Sequence, residues 1–188
     1  MFKKIALFIC IGLMLLSCAE QTARRPKSQK TGTFLKESAE RNKILIAQEE
    51  AYIKKYIAQD SLNSYVTSKN GFWYFYNEKN DQENYFPKKG DTLTYELSMN
   101  KMVSGQAIYQ KEELGIQQYI VEKQQVIPGL RFGLQLMKKG ETVTFLFPSH
   151  IAYGYHGDNK RIGTNIPITS TITLLDIKKD NKNLQTED

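Results

Sequence analysis

The sequence predicts an α+β protein: an antiparallel sheet wrapped on one short helix, preceded by an N-terminal amphipathic helix. Three observations carry this. Residues 33–70 contain neither glycine nor proline and set apolar side chains at helical spacing. Ten of the twelve glycines, four of the five prolines and most of the aromatics lie from Gly71 onward. There, short runs alternate apolar with polar residues between turns, and a single proline-initiated stretch interrupts them.

At 188 residues, 40% hydrophobic and 24% charged, with a mean hydropathy of -0.49, the chain suits one domain with extensions. That composition excludes a polytopic membrane protein, a collagen-like chain and a wholly disordered one. Two cysteines and two histidines are too few for a disulfide scaffold or a His/Cys zinc site. His150 and His156, six positions apart with no cysteine nearby, read as solvated side chains. No metal or cofactor is expected.

The elements follow in order. Lys3 and Lys4 precede an apolar run from Ile5 to Leu16 of about a dozen residues, short of the roughly twenty that span a bilayer. The run closes on Leu15-Leu16-Ser17-Cys18, which resembles the lipobox of bacterial lipoproteins, where the cysteine is diacylated and the chain is cut before it. Residues 1–17 are thus expected to be a lipoprotein signal peptide, with Cys18 the lipid anchor. The formal charge of +6 then loses Lys3 and Lys4, leaving 24 basic against 20 acidic side chains, or +4. Several more cations lie in the polar segment 18–33, which reads as a tether, so the basic balance points to no nucleic-acid partner.

Residues 34–68 form the helical segment. Ile46, Ile53, Tyr56 and Ile57 recur at helical spacing, with Leu62 and Val66 beyond. The spacing predicts a helix from Phe34 to Gln59 and a second short one after it. The stripe packs on the domain by default, and a homodimer through this helix is the other way of covering it. The domain is placed at 69–178. Phe72–Tyr76 is a strand, Pro87-Lys88-Lys89-Gly90-Asp91 a turn, and Thr92–Met99 an alternating strand. Strands are also expected near Gln118–Val121, Thr142–Phe147 and Thr171–Ile177. Pro128–Met137 is the short helix, with proline at its start and Lys138-Lys139-Gly140 at its close. Residues 179–188 form a charged tail.

Four blocks in this order resemble the FK506-binding-protein family of peptidyl-prolyl isomerases. They are Pro87-Lys88-Lys89-Gly90-Asp91-Thr92, then Val126-Ile127-Pro128-Gly129-Leu130 with Gly133 and Gly140-Glu141, then Pro148 through Ala152-Tyr153-Gly154, and Asn165-Ile166-Pro167. The resemblance spans Pro87 to Lys178, about half the chain. It implies that the sheet is FK506-binding-protein-like and that an apolar cup turns an X-Pro amide. The barrier is about 18–20 kcal/mol in water, and a less polar site disfavours the planar, charge-separated ground state. No nucleophile, metal or general acid is needed.

By the same resemblance Tyr153 and Ile127 are the catalytic positions. The Tyr153 hydroxyl and the Ile127 backbone N–H donate to substrate carbonyls. Val126, Leu130, Leu97, Ile108, Tyr109 and Leu174 are the substrate-binding positions. The sequence departs from the family where Leu130 stands for a floor tryptophan, Leu97 for a tyrosine and Leu174 for a phenylalanine. Ile108-Tyr109 stands for a Phe-Asp pair, so the aspartate is missing, and no phenylalanine falls near Gln117. The signal, the helical lead-in and this less aromatic motif together are most like the gliding-motility-associated isomerase lipoproteins of Bacteroidetes. The resemblance therefore implies an isomerase of weakened activity, lipid-anchored in the cell envelope and facing the periplasm, with X-Pro-containing envelope proteins as clients. The alternative is a non-catalytic chaperone or assembly module that uses the same fold to hold a partner.

Overall fold

The computed structural model describes residues 31–181; the expected signal peptide, Cys18, nearly all of the tether and the tail from 182 lie outside them. The chain divides into two units, residues 1–39 and 40–188. The second unit holds the domain and the greater part of a long helix, α1 (Thr31–Gln59).

After Gln59 no second helix forms. The Asp60 carboxylate accepts the Leu62 N–H at 3.0 Å, the Asn63 amide at 2.8 Å and the Tyr65 hydroxyl at 2.7 Å. These local bonds compete with helical pairing and turn the chain outward. Val66–Thr67 becomes a short strand, β1, instead of helix, so the sheet begins a few residues before the predicted boundary at 69.

The remaining elements are β2 (Trp73–Glu78), β3 (Thr92–Lys101), β4 (Ala107–Tyr109), α2 (Lys111–Leu114), β5 (Gln117–Ile120), α3 (Pro128–Leu134), β6 (Thr142–Phe147), a 3-10 turn (Ser149–Ile151) and β7 (Ile168–Lys178). The strand order is β1-β2-β6-β7-β3, all antiparallel, with β4 and β5 sharing the far edge of β3. β3 and β7 run longer than the sequence pattern suggests and pair over almost their full length, from Thr92 opposite Lys178 to Lys101 opposite Ile168.

The sheet buries one face on α3. Leu93, Tyr95, Leu97 and Met99 of β3 meet Val143, Phe145 and Phe147 of β6, Ile168, Ile172 and Leu174 of β7, and Leu130 and Leu134 of α3. The rings of Phe145 and Phe147 stack 5.4 Å apart and only 9° from parallel. α3 lies against them through its two glycines. A Cβ on Gly129 would fall 2.8 Å from the Phe147 ring, and one on Gly133 3.0 Å from the Phe145 ring. Spaced four apart, both glycines face the sheet on one side of the helix.

On the opposite face a smaller cluster of Ile53, Trp73, Met102 and Leu146, flanked by Ile57 and Tyr65, docks α1 on the sheet. Ile53 is fully buried, whereas Tyr56, Leu62 and Val66 of the expected stripe are exposed.

Gly129→Ala tests the helix–ring contact. The added methyl gains about 1 kcal/mol of helix propensity, but overpacking a closed core costs about 1–3 kcal/mol, more where no side chain can move aside. Phe147 has no accessible surface and is stacked on one side, so the expected net change is a loss of about 1 kcal/mol and a melting temperature lower by about 2–4 °C. An unchanged or higher melting temperature would show that the ring can shift.

Candidate active site

At one end of the sheet Met99, Tyr109, Leu114, Tyr153, Asp158 and Lys160 line a hollow of about 240 Å³. Two stretches far apart in sequence, 99–114 and 153–160, build it. β3 and β4 supply Met99 and Tyr109, α2 supplies Leu114, and the long connection between β6 and β7 supplies the rest. A larger hollow of about 530 Å³ lies elsewhere, lined largely by polar groups that include Glu78, Glu96, Lys111, Glu112 and the threonines of β6 and β7. Its lining does not suit a prolyl ring, so the smaller hollow is the candidate.

Tyr153 is placed by the backbone around it. The Ser149 carbonyl accepts the Ala152 N–H at 3.0 Å and the Gly154 N–H at 2.8 Å, so the residues on either side of Tyr153 are tied to one oxygen. The Tyr153 hydroxyl lies 3.7 Å from the Met99 sulfur, a weak acceptor that leaves the donor open to a better one. Burial above all, then the Asp158 carboxylate, push this phenol up to about 12, so it stays protonated and able to donate across the physiological range.

The rim is an ionic cluster. The Tyr109 hydroxyl donates to Asp158 Oδ2. Asp158 Oδ1 accepts the N–H groups of Lys160, Arg161 and Ile162 at 2.8, 2.9 and 2.8 Å. The Arg161 guanidinium lies 5.0 Å from the Tyr109 ring centre, donates to the Ile108 carbonyl at 3.0 Å and pairs with Glu113 at 2.7 Å. Burial raises the Asp158 carboxyl, but the bonds from Tyr109 and from these N–H groups outweigh it and hold the group below the usual aspartate value.

The eight predicted protein-site residues fall in four pairs. Tyr109 and Tyr153 line the hollow together. Val126 and Ile127 are half-buried against the main core at the start of α3, where among the described residues no acceptor faces the Ile127 N–H. Leu130 and Ile108 are core residues with 6% exposure each. Leu97 and Leu174 are deeper: Leu97 pairs with Ile172, and Leu174, with no accessible surface, pairs with Tyr95 at the end of β7 tied to Gly140 and Glu141. Both are absent from the lining of this hollow, and Leu97 lines the larger one. Met99, two residues beyond Leu97 on the same strand face, meets the Tyr153 hydroxyl instead.

Sequence reasoning missed Met99, Leu114, Asp158 and Arg161. The carboxylate lacking at position 109 is supplied by Asp158 from another loop. The run Gly157 to Arg161 reads only as a turn, and nothing in it signals a partner 49 residues away.

The site thus sets an open phenol donor beside a hollow at one end of an antiparallel sheet that buries a short helix. Residues 83–175 match the family model described as FKBP-type peptidyl-prolyl cis-trans isomerase, and this domain of the chain belongs to that family. The chain is 28% identical over 128 residues to the probable FKBP-type isomerase FkpA of Neisseria meningitidis, a match covering 68% of this chain and 44% of that protein. It is 33% identical over 93 residues to the outer membrane protein MIP of Legionella longbeachae, covering 50% and 39%. It thus spans less than half the length of these relatives. A crystal structure of a peptidyl-prolyl cis-trans isomerase from Pseudomonas syringae pv. tomato superposes with a TM-score of 0.56 at 17% identity, over 73% of this chain and 96% of that one, which shows a shared fold.

Asp158→Asn tests the rim. A carboxyl depressed on folding stabilises the chain above about pH 4, and that contribution is lost as pH falls through the lower folded value. Urea unfolding should show the variant less stable by about 1 kcal/mol at pH 7 and level with the parent near pH 2. A gap that persists in acid would refute the charge's role.

Proposed function

We propose that the chain is a lipid-anchored peptidyl-prolyl cis-trans isomerase that assists the folding of X-Pro-containing envelope proteins from the periplasmic side. Clients of the gliding and secretion machinery are part of this proposal and rest on the resemblance of the whole chain. The observation that carries the catalytic reading is the Tyr153 hydroxyl: a protonated donor at the hollow, whose hydrogen-bond acceptor among the described residues is a thioether. A substrate carbonyl is a far stronger acceptor than sulfur, and docking it there orients the X-Pro bond against apolar walls. Uncatalysed turnover of that bond takes tens to hundreds of seconds, so modest stabilisation of the twisted amide suffices.

Support for the envelope comes from the Lys3–Cys18 pattern and from a relative named as an outer membrane protein. The aliphatic Leu130 and Ile108 favour a second reading, a chaperone or assembly module that binds without turnover. Pairing of two copies through the exposed Ile44, Tyr52 and Tyr56 of α1 belongs to the same proposal.

A tetrapeptide isomerisation assay on the full chain in detergent separates the two readings. Tyr153→Phe should lower kcat/KM about tenfold, the worth of one hydrogen bond to a reacting carbonyl. Because Tyr153 ionises only near 12, the parent profile should show no loss from this group between about pH 6 and pH 10. A parent rate equal to that of Tyr153→Phe would leave the binding module. For the anchor, palmitate labelling should vanish in Cys18→Ser, and retained label would sink it.

A further inference from the structure

A polar contact between α1 and the domain falls on a residue that frames Tyr153. Glu49 is only 7% exposed and Ser149 1%, and they are 100 residues apart. One Glu49 carboxylate oxygen accepts the Ser149 backbone N–H at 2.7 Å; the other accepts the Ser149 hydroxyl, also at 2.7 Å. On its other side the Ser149 carbonyl accepts the N–H groups of Ala152 and Gly154. All three polar groups of Ser149 are therefore committed, two to the helix and one to the loop that carries Tyr153.

We propose that Glu49 is a positioning residue for the isomerase site: through Ser149 it holds the Tyr153 hydroxyl where a substrate carbonyl docks, so that the docked α1 is part of the catalytic apparatus. This rests on the isomerase reading above. A hydrogen bond to a charged acceptor is about twice as strong as a neutral one, and the pair is shielded from water, so it fixes the 3-10 turn firmly. The apolar cluster around Ile53, one helical turn on, brings the carboxylate to its place.

The test uses the full chain in detergent, with kcat and KM measured separately on a proline tetrapeptide. Tyrosines are replaced by 3-fluorotyrosine, and the Tyr153 fluorine resonance is assigned by its loss in Tyr153→Phe. Glu49→Ala should lower kcat about tenfold with KM little changed and should shift the Tyr153 resonance. Glu49→Gln should restore most of both, since its carbonyl accepts the Ser149 N–H while its amide donates to the hydroxyl. A lower melting temperature in Glu49→Ala with kcat and resonance unchanged would mean a merely structural contact and overturn the proposal. The resonance also separates this proposal from the one beneath it. If the parent chain shows no isomerase activity, a Tyr153 signal that moves in Glu49→Ala and returns in Glu49→Gln upholds the coupling while removing the function. An immobile signal overturns the coupling. Should Glu49→Ala fail to fold, Ser149→Ala, which loses only the hydroxyl bond, is read by the same criteria.

Discussion

The approach of α3 to the stacked rings of Phe145 and Phe147 is the constraint on which the domain depends. A helix with side chains at 129 and 133 would stand farther from the sheet, and Leu130, Leu134 and Met137 would lose their place in the core. The close approach also fixes where α3 begins. Pro128 occupies its first turn, where no N–H is needed, and Ile127 just before it holds an extended conformation. The half-buried Val126–Ile127 pair is thus placed by the start of the helix together with its own packing against the core.

Around that core, buried carboxylates do the stitching. Asp91, with no accessible surface, accepts the Tyr85 hydroxyl, the Lys88 N–H and the Asp180 N–H, binding the turn before β3 to the residues after β7. Glu141 accepts the Lys138 N–H at 2.8 Å and that of Asn80 at 3.4 Å, holding the loop after β2 to the turn before β6. Glu49 does the same between α1 and the Tyr153 loop. A buried carboxylate is costly unless hydrogen-bonded, and each of these is satisfied by N–H groups that secondary structure leaves unpaired. In each case an acid ties together two segments distant in sequence by accepting hydrogen bonds from the backbone of one of them.

How far the site was legible follows from what each residue's job requires. Tyr153, Ile127 and Pro128 stand in short contiguous motifs whose geometry is local; Pro128 opens α3, Ile127 sits just before it, and Tyr153 lines the hollow. The sheet was legible for the same reason, since alternation reports which face is buried. The register along a face was not. Leu97 and Met99 point the same way, and only the position of the Tyr153 loop decides which meets the phenol. Asp158 and Arg161 were invisible because their meaning is a pairing with Tyr109 and Glu113 across the fold. The short helix expected after Gln59 failed on a local competition, in which Asp60 offers hydrogen bonds that a helix does not.

The place of β7 bears on how the chain acquires this structure. The strand lies between β6 and β3, so among the described residues the two halves of the sheet are joined only by the strand that comes last in sequence. Its partner Thr92 is separated from Lys178 by most of the domain, and each such pairing closes a long loop before any contact rewards it. A chain emerging N-terminus first therefore holds one edge of β6 and one edge of β3 open until residues 168–178 are free. For the whole of that interval the apolar positions of β3 and β6 lack Ile168, Ile172 and Leu174 between them, although Phe145 and Phe147 already have Phe72 and α3 to meet.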